Sequence, residues 1–224
     1  MGPPRPAEPG RQGRRPARAG RGRPAAWWFA VVLPAAVFVG LAIAVGRAGP
    51  RGFDVSPMAW LYDHASPGLD RFFAQVARAG YEGGVIPADI LLLAGLAAVG
   101  RWRAWRFAAV ALGGSALLVM AAKRLVRRER PALWETIPQE TTWSFPSGHA
   151  TGSMTLAAVL VLLAWPTRAR WPVLLAALAF VPLVGLSRPY LGVHYPSDIL
   201  AGWCLALAWV AAAWLLLHRR GAAG

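Results

Sequence analysis

Acid is scarce in this sequence: ten Asp and Glu stand against 24 Lys and Arg in 224 residues, a net charge of +14. Carboxylates this few and this dispersed form no cluster suited to Mg²⁺. Cysteine is scarcer still. Cys204 is the single thiol, which excludes an intrachain disulfide and any cysteine-built metal site. Inside an apolar run, it reads as a small buried or lipid-facing residue. The four histidines are spread along the chain and offer no zinc cluster. Charge of either sign is low, 15% of residues, whereas 56% are hydrophobic. A soluble domain of this length is less apolar and less segregated. No solenoid-type repeat is present.

What the chain does have is apolar blocks of about 16–22 residues, the length that crosses about 30 Å of hydrocarbon as helix. They predict spans over 27–46, 85–100, 107–122, 149–165, 171–187 and 199–217. Seven arginines precede residue 24 in a run of Pro, Gly and Ala. Such a segment cannot bury a core, and no aromatic side chains interleave the arginines. Residues 1–26 therefore read as a disordered basic cytoplasmic tail beside anionic head groups, not as a nucleic-acid-binding arm. Residues 27–218 read as one membrane domain and 219–224 as a short cytoplasmic tail. The first apolar block is longer than a secretory signal core and no small-x-small site follows it, so it reads as a retained helix with Trp27 and Trp28 at the interface. Between spans one and two, Ser66-Pro67 signals a helix start. Leu69, Phe72, Phe73 and Val76 recur at helical spacing up to Gly80, as in an amphipathic helix lying at the interface, where it could cover a site. Gly113-Gly114-Ser115 permits close helix approach. Asp89 lies near one end of its span, placed to snorkel or to bond a neighbouring helix, with a functional role the other reading.

Six spans leave both termini on one side. With the N-terminus inside, fourteen of the 24 Lys and Arg fall on the inner side, which favours cytoplasmic termini. Whatever the orientation, segment 123–148 joins spans three and four, and segment 188–198 joins spans five and six. Both connections open on the same face.

Those two connections carry the chemistry. Lys123, Arg130 and Arg188 supply charge that can grip a phosphate, Arg by forked hydrogen bonds and Lys as a point charge. Taken alone, the Lys123–Arg128 run reads as ordinary juxtamembrane charge. Ser147 can cap the fourth span, and Gly148 lets an anion approach backbone N–H groups at a helix start. His149 adds a titratable donor there. His194 and Asp198, four apart, can pair so that the carboxylate fixes the ring tautomer and leaves the other nitrogen free as base or nucleophile. His64 and His218 lack such companions and read as interfacial polar residues.

In K-x6-R-P, P-S-G-H and S-R-x5-H-x3-D order, Lys123, Arg130, Pro131, Pro146, Ser147, Gly148, His149, Ser187, Arg188, His194 and Asp198 resemble the signature of the type 2 phosphatidic acid phosphatase superfamily, which also contains vanadium haloperoxidases and bacterial acid phosphatases. The motifs cover residues 123–198, and the six-span plan extends the likeness from about residue 60 to the last helix. The resemblance implies an all-α, polytopic membrane protein with six transmembrane helices. It implies a phosphatase in which His194 attacks phosphorus, Asp198 orients His194, and His149 protonates the leaving oxygen and then activates water. Lys123, Arg130, Ser147, Gly148 and Arg188 would bind the phosphoryl oxygens. No metal and no cofactor are implied.

A site at a membrane face favours an amphiphilic lipid phosphate. Relatives of this size act on polyprenyl diphosphate, phosphatidate or phosphatidylglycerol phosphate; an undecaprenyl-type diphosphate is the first expectation. Composition rich in Arg, Ala and Gly suggests a GC-rich bacterial genome, hence a bacterial cell membrane, and the Lys and Arg count puts the site on its extracytoplasmic face. Two other classes remain. Known haloperoxidases are soluble, which six spans oppose. A lipid transporter or scramblase would have similar spans but no need for two histidines at one anion site.

Overall fold

The computed structural model describes residues 24–48, 52–132 and 141–219, together with Gly2. The expectations for residues 1–23, for the side chains of Trp27, Trp28 and His218, and for the C-terminal segment after residue 219 lie outside the described residues. Eight helices are present among the described residues: α1 (Pro24–Ala48), α2 (Gly52–Asp63), α3 (Pro67–Ala79), α4 (Val85–Ala98), α5 (Trp102–Val126), α6 (Gly148–Ala164), α7 (Arg170–Tyr190) and α8 (Pro196–Arg219). The chain is an all-α polytopic membrane protein. Apolar stretches of α1, α5, α7 and α8 are long enough to cross a bilayer, and α4 and α6 are shorter apolar helices. Each predicted span falls on one of these six. The helices overrun most of the predicted limits, notably at both ends of α5 and α8, because apolar runs mark hydrocarbon and not the polar turns that continue a helix beyond it.

Packing ranks the helices. Half of the apolar window of α8 is buried inside the protein, against 6% of that of α1. Thus α8 is the central post, touching α1, α5, α6 and α7. The main core joins α4, α5, α6 and α8 through Val85, Phe107, Leu112, Leu156, Val159 and Val210. Outward-facing Phe29 and Leu33 of α1, Ile90 and Leu91 of α4, and Leu175 and Leu178 of α7 are exposed, which suits lipid and not water. At Gly114 the predicted close approach is realised: a Cβ there would meet the Trp209 ring at 2.3 Å, whereas Gly113 faces open space. Ser115 is buried and donates to the Leu112 carbonyl at 3.0 Å.

The predicted amphipathic helix is α3. Ser66 caps it by accepting from Leu69 N at 3.4 Å, Pro67 opens it, and Gly80 ends it. Phe73 packs on Tyr190 of α7 with ring centroids 4.3 Å apart, and the Tyr190 hydroxyl donates to Asp70 Oδ1 at 2.8 Å. The sequence reading did not anticipate α2. Gly52 and Pro57 are poor helix formers, yet buried Asp54 and Met58 hold the helix against the bundle. Asp89, in the second turn of α4, is half-buried and its Oδ1 accepts no hydrogen bond among the described residues. His64 is exposed, stacked on Trp60 and bonded to its carbonyl.

Candidate active site

Four helix ends build the site. Helix α5 stops at Arg127, which adopts a left-handed conformation (φ 50°) while its N–H bonds the Lys123 carbonyl. That reversal leaves Arg127 itself exposed and sends the following residues back toward the bundle, with Arg128 buried and Arg130 half-buried. Ser147 caps α6 by accepting from Ala150 N at 3.4 Å, and its own N–H donates to the Asp198 carbonyl at 3.1 Å. The starts of α6 and α8 are therefore tied together. Ideal Cβ placement at Gly148 meets nothing within 4 Å, so the α6 N-terminus is open on that side.

His194, buried in the turn between α7 and α8, is the centre. Arg130 Nη1 donates to His194 Nε2 at 3.1 Å. A guanidinium nitrogen only donates, so Nε2 must carry its lone pair and the proton sits on Nδ1. Nδ1 in turn lies 3.5 Å from Asp198 Oδ2 and 3.3 Å from Ser144 Oγ. Asp198 Oδ2 also accepts from Ser144 Oγ at 2.5 Å and from Tyr195 N at 3.0 Å. Burial pushes the His194 pKa from 6.5 down to about 4; Asp198 opposes the shift, and Arg130 and Arg188 reinforce it. The result is a neutral imidazole whose free nitrogen faces a guanidinium.

The remaining predicted cations gather at the same place. Arg130 Nε and Nη2 hold the Thr142 carbonyl and hydroxyl at 2.7 and 3.0 Å, and Nη1 also bonds the Val193 carbonyl at 2.7 Å. Lys123 Nζ donates to Thr142 Oγ1 at 3.1 Å and to the Trp143 carbonyl. Arg188, near the end of α7, is almost wholly buried. Arg188, Arg130, Lys123 and the His194 ring are all electrostatic neighbours of His149, so the second histidine shares the pocket. Its ring stacks on Tyr81, with centroids 4.8 Å apart and planes 29° apart. All eight predicted site residues thus converge on one end of the bundle.

Ser144, Thr142, Tyr81, Arg128 and Asp54 were not singled out from the sequence. Arg128 Nη1 donates to Asp198 Oδ1 at 2.6 Å, and its Nη2 to Asp54 Oδ2 at 2.6 Å. Arg128 lies inside the first motif and Ser144 two residues before the P-S-G-H motif, so position alone could have flagged both. Among the described residues, no three His, Cys, Asp or Glu side chains group as metal ligands. A cavity of about 950 Å³ between Arg101, Trp102, Trp165 and Trp214 lies at the opposite end of the bundle and contains none of these groups.

Residues 104–222 match the profile of the PAP2 superfamily. The chain is 44% identical over 114 residues to the decaprenylphosphoryl-5-phosphoribose phosphatase of Mycolicibacterium smegmatis, covering 48% of this chain and 57% of that protein. It is 38% identical over 102 residues to the undecaprenyl-diphosphatase of Sulfolobus acidocaldarius, covering 46% of each. In both cases the match spans less than two thirds of the relative's length. Among solved structures, that of a transmembrane PAP2-type phosphatidylglycerolphosphate phosphatase from Bacillus subtilis superposes with a TM-score of 0.72 at 22% identity, over 87% of this chain and 96% of that one. At that identity it shows the fold.

Proposed function

The chain belongs to the PAP2 superfamily, and we propose that it is a membrane lipid phosphatase working through a phosphohistidine. The observation that carries the mechanism is the placement of the His194 ring, with Nε2 toward Arg130 at 3.1 Å and Nδ1 toward Asp198 and Ser144, which assigns the proton to Nδ1. In the first step His194 Nε2 attacks phosphorus, the bond to the lipid oxygen breaks, and His149 gives that oxygen a proton. Lys123, Arg130, Arg188, Ser147 and the Gly148 N–H hold the phosphoryl oxygens as charge redistributes. The imidazolium-like ring formed on His194 keeps its Nδ1–H on Asp198. In the second step His149 takes a proton from water, the hydroxide attacks phosphorus, the P–Nε2 bond breaks, and inorganic phosphate leaves.

The six apolar helices then cross the bilayer, α3 lies at the interface, and the site opens on the extracytoplasmic face with both termini cytoplasmic. Lys/Arg asymmetry supports that orientation. For substrate, an undecaprenyl-type diphosphate comes first, supported by likeness to the Sulfolobus undecaprenyl-diphosphatase. Likeness to the mycobacterial decaprenylphosphoryl-5-phosphoribose phosphatase favours a second reading, a phosphomonoester carried by a polyprenyl-linked sugar. Phosphatidate and phosphatidylglycerol phosphate are the further alternatives. Purified protein in detergent, assayed with EDTA against a panel of these lipids, should release phosphate fastest from the prenyl substrates and be inhibited by vanadate. Lipid flux across vesicles without phosphate release from any of them would favour a transporter and overturn the proposal.

A further inference from the structure

Arg128 occupies an unspecified position between Lys123 and Arg130 in the first motif, yet it is the cation that reaches the partner of His194. Its two terminal nitrogens span carboxylates from opposite ends of the chain. Nη1 binds Asp198 Oδ1 at 2.6 Å and Ser197 Oγ at 2.7 Å; Nη2 binds Asp54 Oδ2 at 2.6 Å. Asp54, fully buried on α2, spends its other contacts on Ser197, accepting from the N–H at 2.9 Å and from Oγ at 2.9 Å. The guanidinium carbon of Arg128 sits 3.9 Å from the centroid of the Tyr195 ring. Apart from the Arg128–Asp54 pair itself, each of these side-chain contacts ends on residues 195–198, the turn that carries Asp198.

A buried ion cluster of this kind is a poor source of stability, because desolvating the charges offsets most of their attraction. Its better-attested use is to fix one geometry. Here the geometry is specific: with Oδ1 of Asp198 held by Arg128, Oδ2 is left to Ser144, Tyr195 N and His194 Nδ1. On the Nδ1 side, the ring faces the Asp198 carboxylate, opposite the Arg130 guanidinium at Nε2. A carboxylate held at Nδ1 is placed to stabilise the ring as it becomes cationic during phosphoryl transfer. Arg128 is not a phosphate ligand, because both terminal nitrogens face carboxylates.

We propose that Asp54 and Arg128 are positioning residues for the nucleophile: α2 anchors Arg128, Arg128 sets the carboxylate plane of Asp198, and Asp198 sets His194. The proposal deepens the phosphatase reading and rests on it. The test uses the full-length protein with Asp54→Asn, Arg128→Gln and the charge-conserving Arg128→Lys, each assayed for kcat, KM and vanadate inhibition on the preferred lipid phosphate. Expected are kcat losses of about ten- to hundredfold in Asp54→Asn and Arg128→Gln, with partial recovery in Arg128→Lys. KM and vanadate inhibition should stay within about threefold of the parent, since Lys123, Arg130 and Arg188 are untouched. Parental kcat in folded protein that merely melts earlier would reduce the cluster to a structural brace. Weakened vanadate inhibition with kcat retained would make Arg128 a phosphate ligand. Either result overturns the proposal. If Arg128→Gln does not fold, the double variant Asp54→Asn/Arg128→Gln removes one charge of each sign and carries the same expectation. Ring-nitrogen NMR of histidine-labelled protein gives a readout independent of turnover. The parent should show His194 protonated at Nδ1, and Asp54→Asn a mixture of tautomers. An unchanged tautomer sinks the proposal, whereas a parent silent on every lipid phosphate sinks the phosphatase reading alone.

Discussion

An imidazole attacks phosphorus only while a lone pair is free, and burial preserves that lone pair on His194. Its pKa is lowered to about 4, so the neutral form persists as pH falls through the ordinary value of 6.5. Turnover limited by this group should fall away only as pH drops through about 4, read from kcat/KM against pH; an acid limb near 6.5 assigned to His194 would contradict the burial argument. The same shift has a cost in stability. Below pH 6.5 the unfolded chain takes up a proton that the folded chain refuses until about 4, so the fold should weaken across that window. Ser144 donates to Asp198 at 2.5 Å and faces Nδ1 of His194. Ser144→Ala should lower kcat about ten- to hundredfold with little change in KM, the cost of one hydrogen bond to a buried charge. An unaltered kcat would show that Asp198 needs no help from that side. The motif residues were legible because each motif is a short run of chemically unusual side chains. Ser144 and Asp54 were not, because their partners lie 54 and 143 residues away and a lone Ser or Asp in a polar segment has many ordinary explanations.

At the scale of elements, helix ends rather than helix bodies carry the chemistry. The left-handed residue that ends α5, Arg127, is exposed and has φ 50°, a conformation that costs a side-chain-bearing residue about 1–2 kcal/mol and glycine little. Arg127→Gly should leave turnover intact and the melting temperature equal or higher. A drop in turnover would mean that the arginine itself is used. The turn after α3 brings Tyr81 onto the His149 ring. Tyr81→Phe keeps that stacking and should retain most activity, whereas Tyr81→Ala frees the ring and should cost more in kcat; equal effects of the two would point to the hydroxyl. The six apolar helices and α3 were readable from run length, from the Ser66-Pro67 start and from the spacing of Phe72, Phe73 and Val76. Helix α2 was not, because Gly52 and Pro57 are helix-poor residues and its helical state depends on Asp54 meeting Arg128 and Ser197. Tertiary contact overrides local propensity there.

Over the whole molecule, the antiparallel run of α5 to α8 places the end of α5, the start of α6, the end of α7 and the start of α8 at one end of the bundle. That convergence followed from counting spans, whereas the side of the membrane rests on charge alone. A reporter fused after residue 224 should read as cytoplasmic, and an external reading would turn the site inward. In the proposed mechanism the motif residues meet only the phosphoryl group, so lipid identity is the property least written in the motifs and most dependent on the assay panel. The most direct test of the whole scheme is a rapid quench of purified protein turning over a lipid phosphate radiolabelled at phosphorus, with EDTA present. An acid-labile, base-stable phosphoenzyme should appear within the first turnover, map to His194, and be absent in His194→Ala together with turnover. Steady phosphate release by His194→Ala at the parental rate, or a label on another side chain, would contradict it.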